Sequence, residues 1–164
     1  MVKYCGHYVT AQEVPDEISL VLSITNCPHR CEGCHSPWLQ ADIGDELTPE
    51  ILRHLIKAYK DGITCVCFMG TGGDYEGLAV LTDLVWQEFF LNVCVYTGDD
   101  DMAFVTYCEE HKHLHPDFIK CGHYDKEVGG LSSPTTNQRM YRLEGNDSEA
   151  FYKDITSWFW RKKE

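Results

Sequence analysis

Three cysteines in the first quarter of the chain have the spacing of a metal-binding loop. Cys27, Cys31 and Cys34 lie in the segment TNCPHRCEGCHS, directly after an apolar run, and no fourth cysteine lies close to them. A structural zinc site needs four ligands, so zinc would require His29 or His35 as the fourth. A cubane iron–sulfur cluster normally takes four thiolates, and three would leave one iron open to a substrate or cofactor. The spacing therefore favours a cluster with an open coordination position over zinc.

The chain has nine cysteines in 164 residues, and we expect all of them to be thiols. An odd number of cysteines in a protein of a reducing compartment disfavours a disulfide framework. Cys65, Cys67 and Cys94 lie in apolar runs that are typical of buried strands, so we predict that they are core residues. The same prediction applies to three isolated cysteines, Cys5, Cys108 and Cys121.

The composition indicates one domain over residues 1–164, because 43% of the residues are hydrophobic and the chain is short for two domains. The formal net charge is −12, from 26 acidic and 14 basic residues, which argues against binding to nucleic acid or to an anionic membrane surface. No apolar stretch approaches the ~20 residues of a membrane span, and the polar N-terminal segment does not resemble a secretory signal. We therefore expect a cytoplasmic protein.

Predicted strands and helices alternate along the chain. Strands are predicted at residues 17–25, 63–69, 92–96, 116–122 and 139–143. Helices are predicted at residues 49–60 and 76–90, with a short helix within 99–111 and a last helix from about residue 147. The last helix would place four apolar residues on one face, Phe151, Ile155, Trp158 and Phe159. This alternation predicts an α/β fold with a mostly parallel sheet, either open or curled into part of a barrel.

Three polar loops are predicted to meet at one edge of that sheet. The cysteine loop follows the first predicted strand, GTGGD (70–74) follows the second, and YTGDD (96–100) ends the third. In parallel sheets, ligand sites form at the carboxyl ends of the strands. Gly72 and Gly73 would allow a ligand to approach the backbone closely, and Asp74 or nearby carbonyl groups can accept hydrogen bonds from an ammonium group.

The order of these motifs resembles that of the radical S-adenosylmethionine (SAM) superfamily. C-x3-C-x2-C after the first strand is the cluster motif of that superfamily. The segments GGD, YTG, FIKCGHYD and TTNQRMY follow it at distances similar to those in the activating subunits of class III anaerobic ribonucleotide reductases. The similarity covers roughly residues 17–143. Two positions depart from many superfamily members: Gly33 replaces an aromatic residue, which removes a possible contact to adenine, and Asp74 replaces a glutamate.

This resemblance implies a compact partial (βα) barrel that holds a [4Fe-4S] cluster on Cys27, Cys31 and Cys34 and binds SAM at the open iron. It implies that SAM is cleaved to generate a glycyl radical on the anaerobic ribonucleotide reductase, with electrons from a flavodoxin or ferredoxin-type donor. The residues that it implies near SAM are Gly33, Cys34, His35, Gly72, Gly73, Asp74, Tyr96, Thr97, Asn137 and Arg139.

Two other functions remain open from the sequence. One is a non-catalytic zinc or iron–sulfur protein that only docks on a partner. The other is a compact radical SAM enzyme for a small molecule, such as the ring-contraction enzymes that form deazapurines. A small-molecule enzyme would need additional loops to close over its substrate, so a protein substrate is favoured. His111, His113 and His115 precede a proline in a charged stretch and are interpreted as a solvated connection.

Overall fold

The computed structural model describes residues 1–161, which form an eight-stranded sheet and the helices that pack against it. The strands are β1 (Lys3–Thr10), β2 (Ser19–Ile24), β3 (Asp45–Glu46), β4 (Cys65–Met69), β5 (Asn92–Tyr96), β6 (Phe118–Cys121), β7 (Arg139–Glu144) and β8 (Phe151–Asp154). The helices are α1 (Pro49–Tyr59), α2 (Tyr75–Phe89) and α3 (Ala103–Glu110), and short 3-10 helices lie at Pro37–Gln40, Lys60–Gly62, Asp147–Glu149 and Thr156–Trp160. Residues 162–164, at the end of the segment for which the last helix was predicted, lie outside the described residues.

The sheet has a parallel centre and antiparallel sides. Its order is β3-β1-β2-β4-β5-β6-β7-β8, and within residues 1–161 it does not close on itself. Strands β2, β4, β5 and β6 run parallel, whereas β1 and β7 pair with the two outer parallel strands in the antiparallel sense. The predicted α/β fold with a mostly parallel central sheet is confirmed. Strand β1 was not predicted, because its sequence KYCGHYVT is polar and largely exposed.

The register of the parallel strands arranges side chains in rows across the sheet. Ser23 pairs with Met69, Met69 with Tyr96, and Tyr96 with Lys120, so these four residues form one row at the carboxyl ends of the strands. Side chains alternate between the two faces of a sheet, so the next row on the same face lies two residues earlier in each strand. That row is Val21, Cys67, Cys94 and Phe118.

Both faces of the central strands are buried, which explains their continuous apolar sequences. On one face the three α-helices pack through a cluster that includes Phe68, Leu78 and Phe104. On the other face Val14 and Ile155 cover the lower part of the sheet, because the turn before β2 and the segment after β8 both fold across it. In the described part of the chain, no helix is long and apolar enough to cross a membrane.

The buried cysteines follow the predicted pattern with one exception. Cys65, Cys67 and Cys94 are fully buried on the face of the sheet that Val14 and Ile155 cover, and Cys108 and Cys121 are buried as well. The prediction for Cys5 is wrong, because that residue is exposed. It lies in β1, whose outer neighbour is the two-residue strand β3 at the edge of the sheet.

The helix predicted from residue 147 is also wrong. The segment contains a 3-10 turn, strand β8 and a second 3-10 helix. Gly145 has φ +83°, and a Cβ there would lie 2.6 Å from the carbonyl oxygen of Glu149, so a tight turn requires glycine at this position. The chain then returns as β8, where Leu143 pairs with Tyr152. The helical spacing of the apolar residues is thus coincidental, and pairing with β7 determines the local structure.

The contrast between buried and exposed cysteines gives a stability prediction. Cys94→Ala removes a sulfur atom from a fully buried site, so we expect the free energy of unfolding to fall by about 1–3 kcal/mol, the usual range for core substitutions. Cys5→Ala changes an exposed residue and should leave it within about 0.5 kcal/mol of the wild type. Urea denaturation of the two variants tests this, and equal losses would contradict the assignment of Cys94 to the core.

Candidate functional site

The three cysteines of the predicted cluster motif line one cavity at the carboxyl ends of the parallel strands. This cavity has a volume of about 520 Å³, which exceeds the volumes of the two other cavities described below. Its lining includes the ends of three neighbouring strands and the residues that follow them: Met69 and Gly70 at the end of β4, Tyr96, Thr97 and Gly98 at the end of β5, and Lys120 and Gly122 at the end of β6. The structure therefore brings together the cysteine loop and the two strand-end loops that the sequence placed at one edge.

The cysteine loop (residues 26–36) is held at this edge by backbone hydrogen bonds. Asn26 has φ +62°, and the N–H groups of Asn26 and Cys27 donate to the carbonyl oxygens of Ala41 and Leu39, at 3.2 and 2.9 Å. These bonds fold the chain back so that Cys31 and Cys34 reach the same cavity as Cys27. Burial raises the pKa of the Cys27 thiol, so a free thiolate there is disfavoured until a cation or metal compensates for it.

The donor set fits an iron–sulfur cluster by its chemistry. All three cysteines are free thiols, and they are the soft ligands that iron–sulfur clusters require. Among the described residues, no group of three His, Cys, Asp or Glu side chains converges closely enough to hold a single metal ion. A cubane cluster places each ligand at a different corner, so its ligands do not need to converge on one point.

Lys120 is a cavity residue that was not predicted from the sequence. Its ammonium group is buried and donates to the carbonyl oxygens of Thr97 and Gly122, at 3.2 and 2.7 Å. Burial lowers the pKa of Lys120 to about 8, while nearby cysteine thiolates, including Cys31, oppose this shift. A buried cation is costly unless an anion compensates for its charge. The available signal was a single lysine within the otherwise apolar strand sequence FIKC.

The glycine loop after β4 contacts the cavity mainly through its first residue. Gly70 lines the cavity, and Gly72 lies against the end of β2, where a Cβ would approach Thr25 O to 3.0 Å. Gly73 has φ +71° and open space around its Cβ position. The Asp74 carboxylate caps α2 by accepting from Gly77 N–H at 2.9 Å, and it also binds the amino group of Met1 at 2.5 Å. Those contacts lower the pKa of Asp74.

Tyr96 and Thr97, which were predicted to lie near SAM, are held in the cavity wall at the end of β5 by hydrogen bonds. The Tyr96 hydroxyl donates to the carbonyl oxygen of Glu13 at 2.5 Å, and burial raises the pKa of Tyr96 well above its ordinary value. Thr97 is buried, and its hydroxyl oxygen accepts the N–H of Asp99 at 3.0 Å. Both side chains therefore support the shape of the cavity.

The segment TTNQR divides between two cavities because its residues alternate as it enters β7. Gln138 is buried, lines the cysteine cavity and donates from Nε2 to the Gly122 carbonyl oxygen at 3.3 Å. Asn137 and Arg139 line a separate cavity of about 340 Å³ together with Asp100. Asn137 donates to His123 O at 3.1 Å, so it ties the loop together. The period-2 pattern with buried Met140 would have selected Gln138.

The long loop between β6 and β7 packs against the cysteine loop. The His35 ring lies edge-on to Tyr124, with ring centroids 5.1 Å apart, and Lys126 binds Glu32 at 2.6 Å. A Cβ on Gly33 would lie 3.5 Å from the Lys126 side chain, in ordinary contact, but Gly33 has φ +74° and favours glycine for that reason. The loop thus covers one side of the predicted cluster site.

The histidines of HKHLH lie elsewhere in the fold. His111 stacks on Tyr107, and His113 Nδ1 lies 2.7 Å from the Asp83 carboxylate on α2. His113 and His115 line a third cavity, of about 390 Å³, which does not include the cysteines. Their contacts are structural, in agreement with the interpretation of this stretch as a connection.

Lys120 predicts a pH dependence of stability. Its pKa is about 8 in the folded chain and 10.5 in its ordinary state, so between these values the unfolded chain binds more protons. The stability of the wild type relative to Lys120→Met should therefore increase as the pH rises from about 8 to 10.5. Urea denaturation of both chains across this range measures the difference. A difference that stays constant or decreases would show that folding does not lower the pKa of Lys120.

No protein-family model, curated protein or solved structure matches the chain. The function proposed below therefore rests on the cysteine motif, the cavity and the side chains around it.

Proposed function

We propose that the chain is a radical SAM activating enzyme that generates a glycyl radical on an anaerobic ribonucleotide reductase. The observation that carries this proposal is that Cys27, Cys31 and Cys34 line one cavity at the carboxyl ends of parallel strands, with the buried Lys120 in the same cavity. These cysteines would hold a [4Fe-4S] cluster. When bound and reduced, the cluster supplies the electron that cleaves SAM to methionine and a 5′-deoxyadenosyl radical.

The cavity residues are suited to bind the methionine end of SAM. The Lys120 ammonium has two carbonyl partners and a third N–H that can bind a carboxylate. The SAM ammonium needs acceptors, and since the Asp74 carboxylate is already bound to Gly77 and Met1, backbone carbonyl groups of the glycine loop are the better candidates. Gln138 adds an amide group at the same wall. These residues would bind and orient the cofactor.

The shape of the sheet favours a protein substrate. We propose that the sheet curls into a partial barrel whose open side lies between the turn before β2 and the C-terminal 3-10 helix. Tyr8 and Glu13 line the cavity on the first side, and Leu131 and Phe159 line it on the other. A gap between two such short segments can admit an extended, glycine-containing loop of a partner. The resemblance of the motifs names that partner as the class III reductase.

Electron supply and location complete the proposal. A flavodoxin or ferredoxin-type donor would approach the outer side of the cysteine loop, where Arg30 is exposed. Such a local contact is needed because the chain carries a formal net charge of −12 and donors of this kind are usually acidic. The proposed location is the cytoplasm, where reducing conditions keep thiols available for the cluster.

The ligand assignment predicts the behaviour of cysteine variants. Cys31→Ala should lose stable cluster iron and SAM cleavage after anaerobic reconstitution, because only two ligands would remain. Cys94→Ala is the matched control, since it removes a thiol from the core beneath the cavity and should keep both the iron and the cleavage. Iron and sulfide analysis, together with detection of 5′-deoxyadenosine, measures the two properties. Full cluster loading in Cys31→Ala would refute the assignment.

The substrate assignment predicts a radical on the partner. The reduced protein, SAM and the anaerobic reductase, mixed without oxygen, should give a glycyl radical doublet in electron paramagnetic resonance (EPR). A reductase in which the target glycine is replaced by alanine should give no doublet. SAM cleavage without any radical on the reductase would retain the radical SAM chemistry and exclude this partner. Bound metal without SAM cleavage would indicate a docking protein.

A further inference from the structure

One carboxylate connects the three loops at the cavity. Asp99 follows β5, and its Oδ1 lies 3.1 Å from Nε2 of His29, which stands between the first two cysteines of the motif. Its Oδ2 accepts a hydrogen bond from the hydroxyl of Tyr75, the first residue of α2 after the glycine loop. We propose that Asp99 is a positioning residue that holds the cysteine loop in its cluster-binding arrangement before a cluster is present. The identity of the bound group as a cluster rests on the proposed function, whereas the ordering of the loop by Asp99 does not depend on that function.

Gly98 gives independent support for the contact between His29 and the loop after β5. A Cβ on Gly98 would lie 2.5 Å from Cδ2 and 2.8 Å from Cγ of the His29 ring. Gly98 is not among the glycines with positive φ, so its backbone conformation does not require glycine. The close approach of the histidine ring is therefore the physical reason for glycine at this position. The ring is packed against the loop as well as hydrogen-bonded to it.

Asp99 is itself held from several directions. Its N–H donates to Thr97 Oγ1 at 3.0 Å, and its carbonyl oxygen accepts from Gly122 N–H at 2.7 Å. Tyr75 packs edge-on against Phe104, a fully buried residue of α3. Packing against the core therefore fixes the position of the Asp99 carboxylate, and the carboxylate in turn fixes the position of His29. A site built on groups fixed by packing keeps its geometry better than one built on a free loop.

A second Asp–His pair in the same loop provides a matched control. Asp100 Oδ1 lies 2.7 Å from His123 Nδ1, and the two side chains are 70% and 47% exposed. The side chains of Asp99 and His29 are only 23% and 29% exposed. Exposed ion pairs contribute little to stability, whereas less exposed and multiply bonded ones contribute more. Replacing Asp100 changes the charge of the loop as much as replacing Asp99, but its hydrogen bonds go to the loop after β6.

Amide hydrogen exchange of the reduced, cluster-free protein tests the proposal directly. In Asp99→Ala, peptides covering residues 26–36 should exchange on the order of tenfold faster, the factor expected when charge-assisted hydrogen bonds that hold a loop are lost. The amides of Asn26 and Cys27, which donate to Ala41 and Leu39, should show the change most clearly. Asp100→Ala should leave these peptides unchanged. Exchange in β4 and β5 should remain as in the wild type, which excludes a general loss of stability.

Two further variants keep the test decisive if the alanine variant does not fold. Tyr75→Phe removes only the hydroxyl group, and Asp99→Asn keeps the shape of the side chain without its charge. Both should accelerate exchange in residues 26–36, by less than Asp99→Ala. Unchanged exchange in these peptides, with the sheet intact, would overturn the proposal.

Reconstitution of the same variants separates this inference from the proposed function. In Asp99→Ala we expect less iron and sulfide per chain and a changed EPR spectrum of the dithionite-reduced cluster, while Asp100→Ala matches the wild type. An unchanged spectrum and full loading in Asp99→Ala would overturn the link between loop order and the cluster. Failure of the wild type to assemble any cluster would instead refute the proposed function, and hydrogen exchange would still report whether Asp99 orders the loop.

Discussion

The in-register pairing of the four parallel strands determines what the cavity contains. Because β2, β4, β5 and β6 run in the same direction, their carboxyl ends meet at one edge, and the loops that follow all four strands meet there too. The last inward-facing row, which includes Met69, Tyr96 and Lys120, becomes the floor of the cavity. A shift of one residue in the pairing of β6 with β5 would turn Lys120 toward the helices and replace it with an apolar side chain. Register therefore sets the chemistry of the site.

The buried lysine and the cysteine loop are complementary in charge. Lys120 is buried above a row of apolar side chains, and its protein partners are two neutral carbonyl oxygens. Such an arrangement leaves the positive charge without an anion from its immediate hydrogen-bond partners, which is unfavourable in a buried site. Thiolates of the three cysteines, or the carboxylate of a ligand, would supply that anion. The electrostatics of the cavity thus favour an anionic occupant, in agreement with the proposed cluster and SAM.

The sequence predicted the central strands and the first two long helices because each has a strong and local signal. An apolar run between Gly62 and Gly70 identifies β4, and an apolar run that ends before Gly98 identifies β5. The Thr48-Pro49 start identifies α1, where Thr48 Oγ1 accepts Ile51 N–H at 3.2 Å. The prediction of a C-terminal helix was wrong because the structure there depends on pairing with β7. That pairing is a tertiary contact, which the helical spacing of the apolar residues does not show. The prediction that Cys5 is buried was wrong because the burial of a strand depends on its neighbours in the sheet, and sequence periodicity does not identify them.

Only the parts of the candidate site that belong to a local sequence motif could be predicted. The cysteines and the two strand-end loops were found from spacing and from the rule that parallel strands share an edge. Lys120 was missed because its role depends on which face of a strand it occupies. The same property separates Gln138, which lines the cysteine cavity, from Asn137 and Arg139, which line another cavity. Asp74 has its carboxylate bound to an amino group and a helix terminus, contacts that a motif cannot show. Asp99 was not selected because three adjacent aspartates look equivalent in the sequence, and only their contacts distinguish them.

The cysteine loop has two sides with different requirements, and its residues divide accordingly. Cys27, Cys31 and Cys34 are partly buried at the cavity, whereas Arg30 and Glu32 are exposed and do not line it. A cluster on these cysteines would receive electrons through the exposed side of the loop and bind SAM on the cavity side. The loop must therefore be short and well ordered, so that the cluster is accessible from both sides. Hydrogen bonds to Ala41 and Leu39 fix one end of the loop, and the His29–Asp99 contact fixes its middle. Order in this loop therefore follows from contacts with the sheet edge, which is the same edge that carries the proposed SAM site.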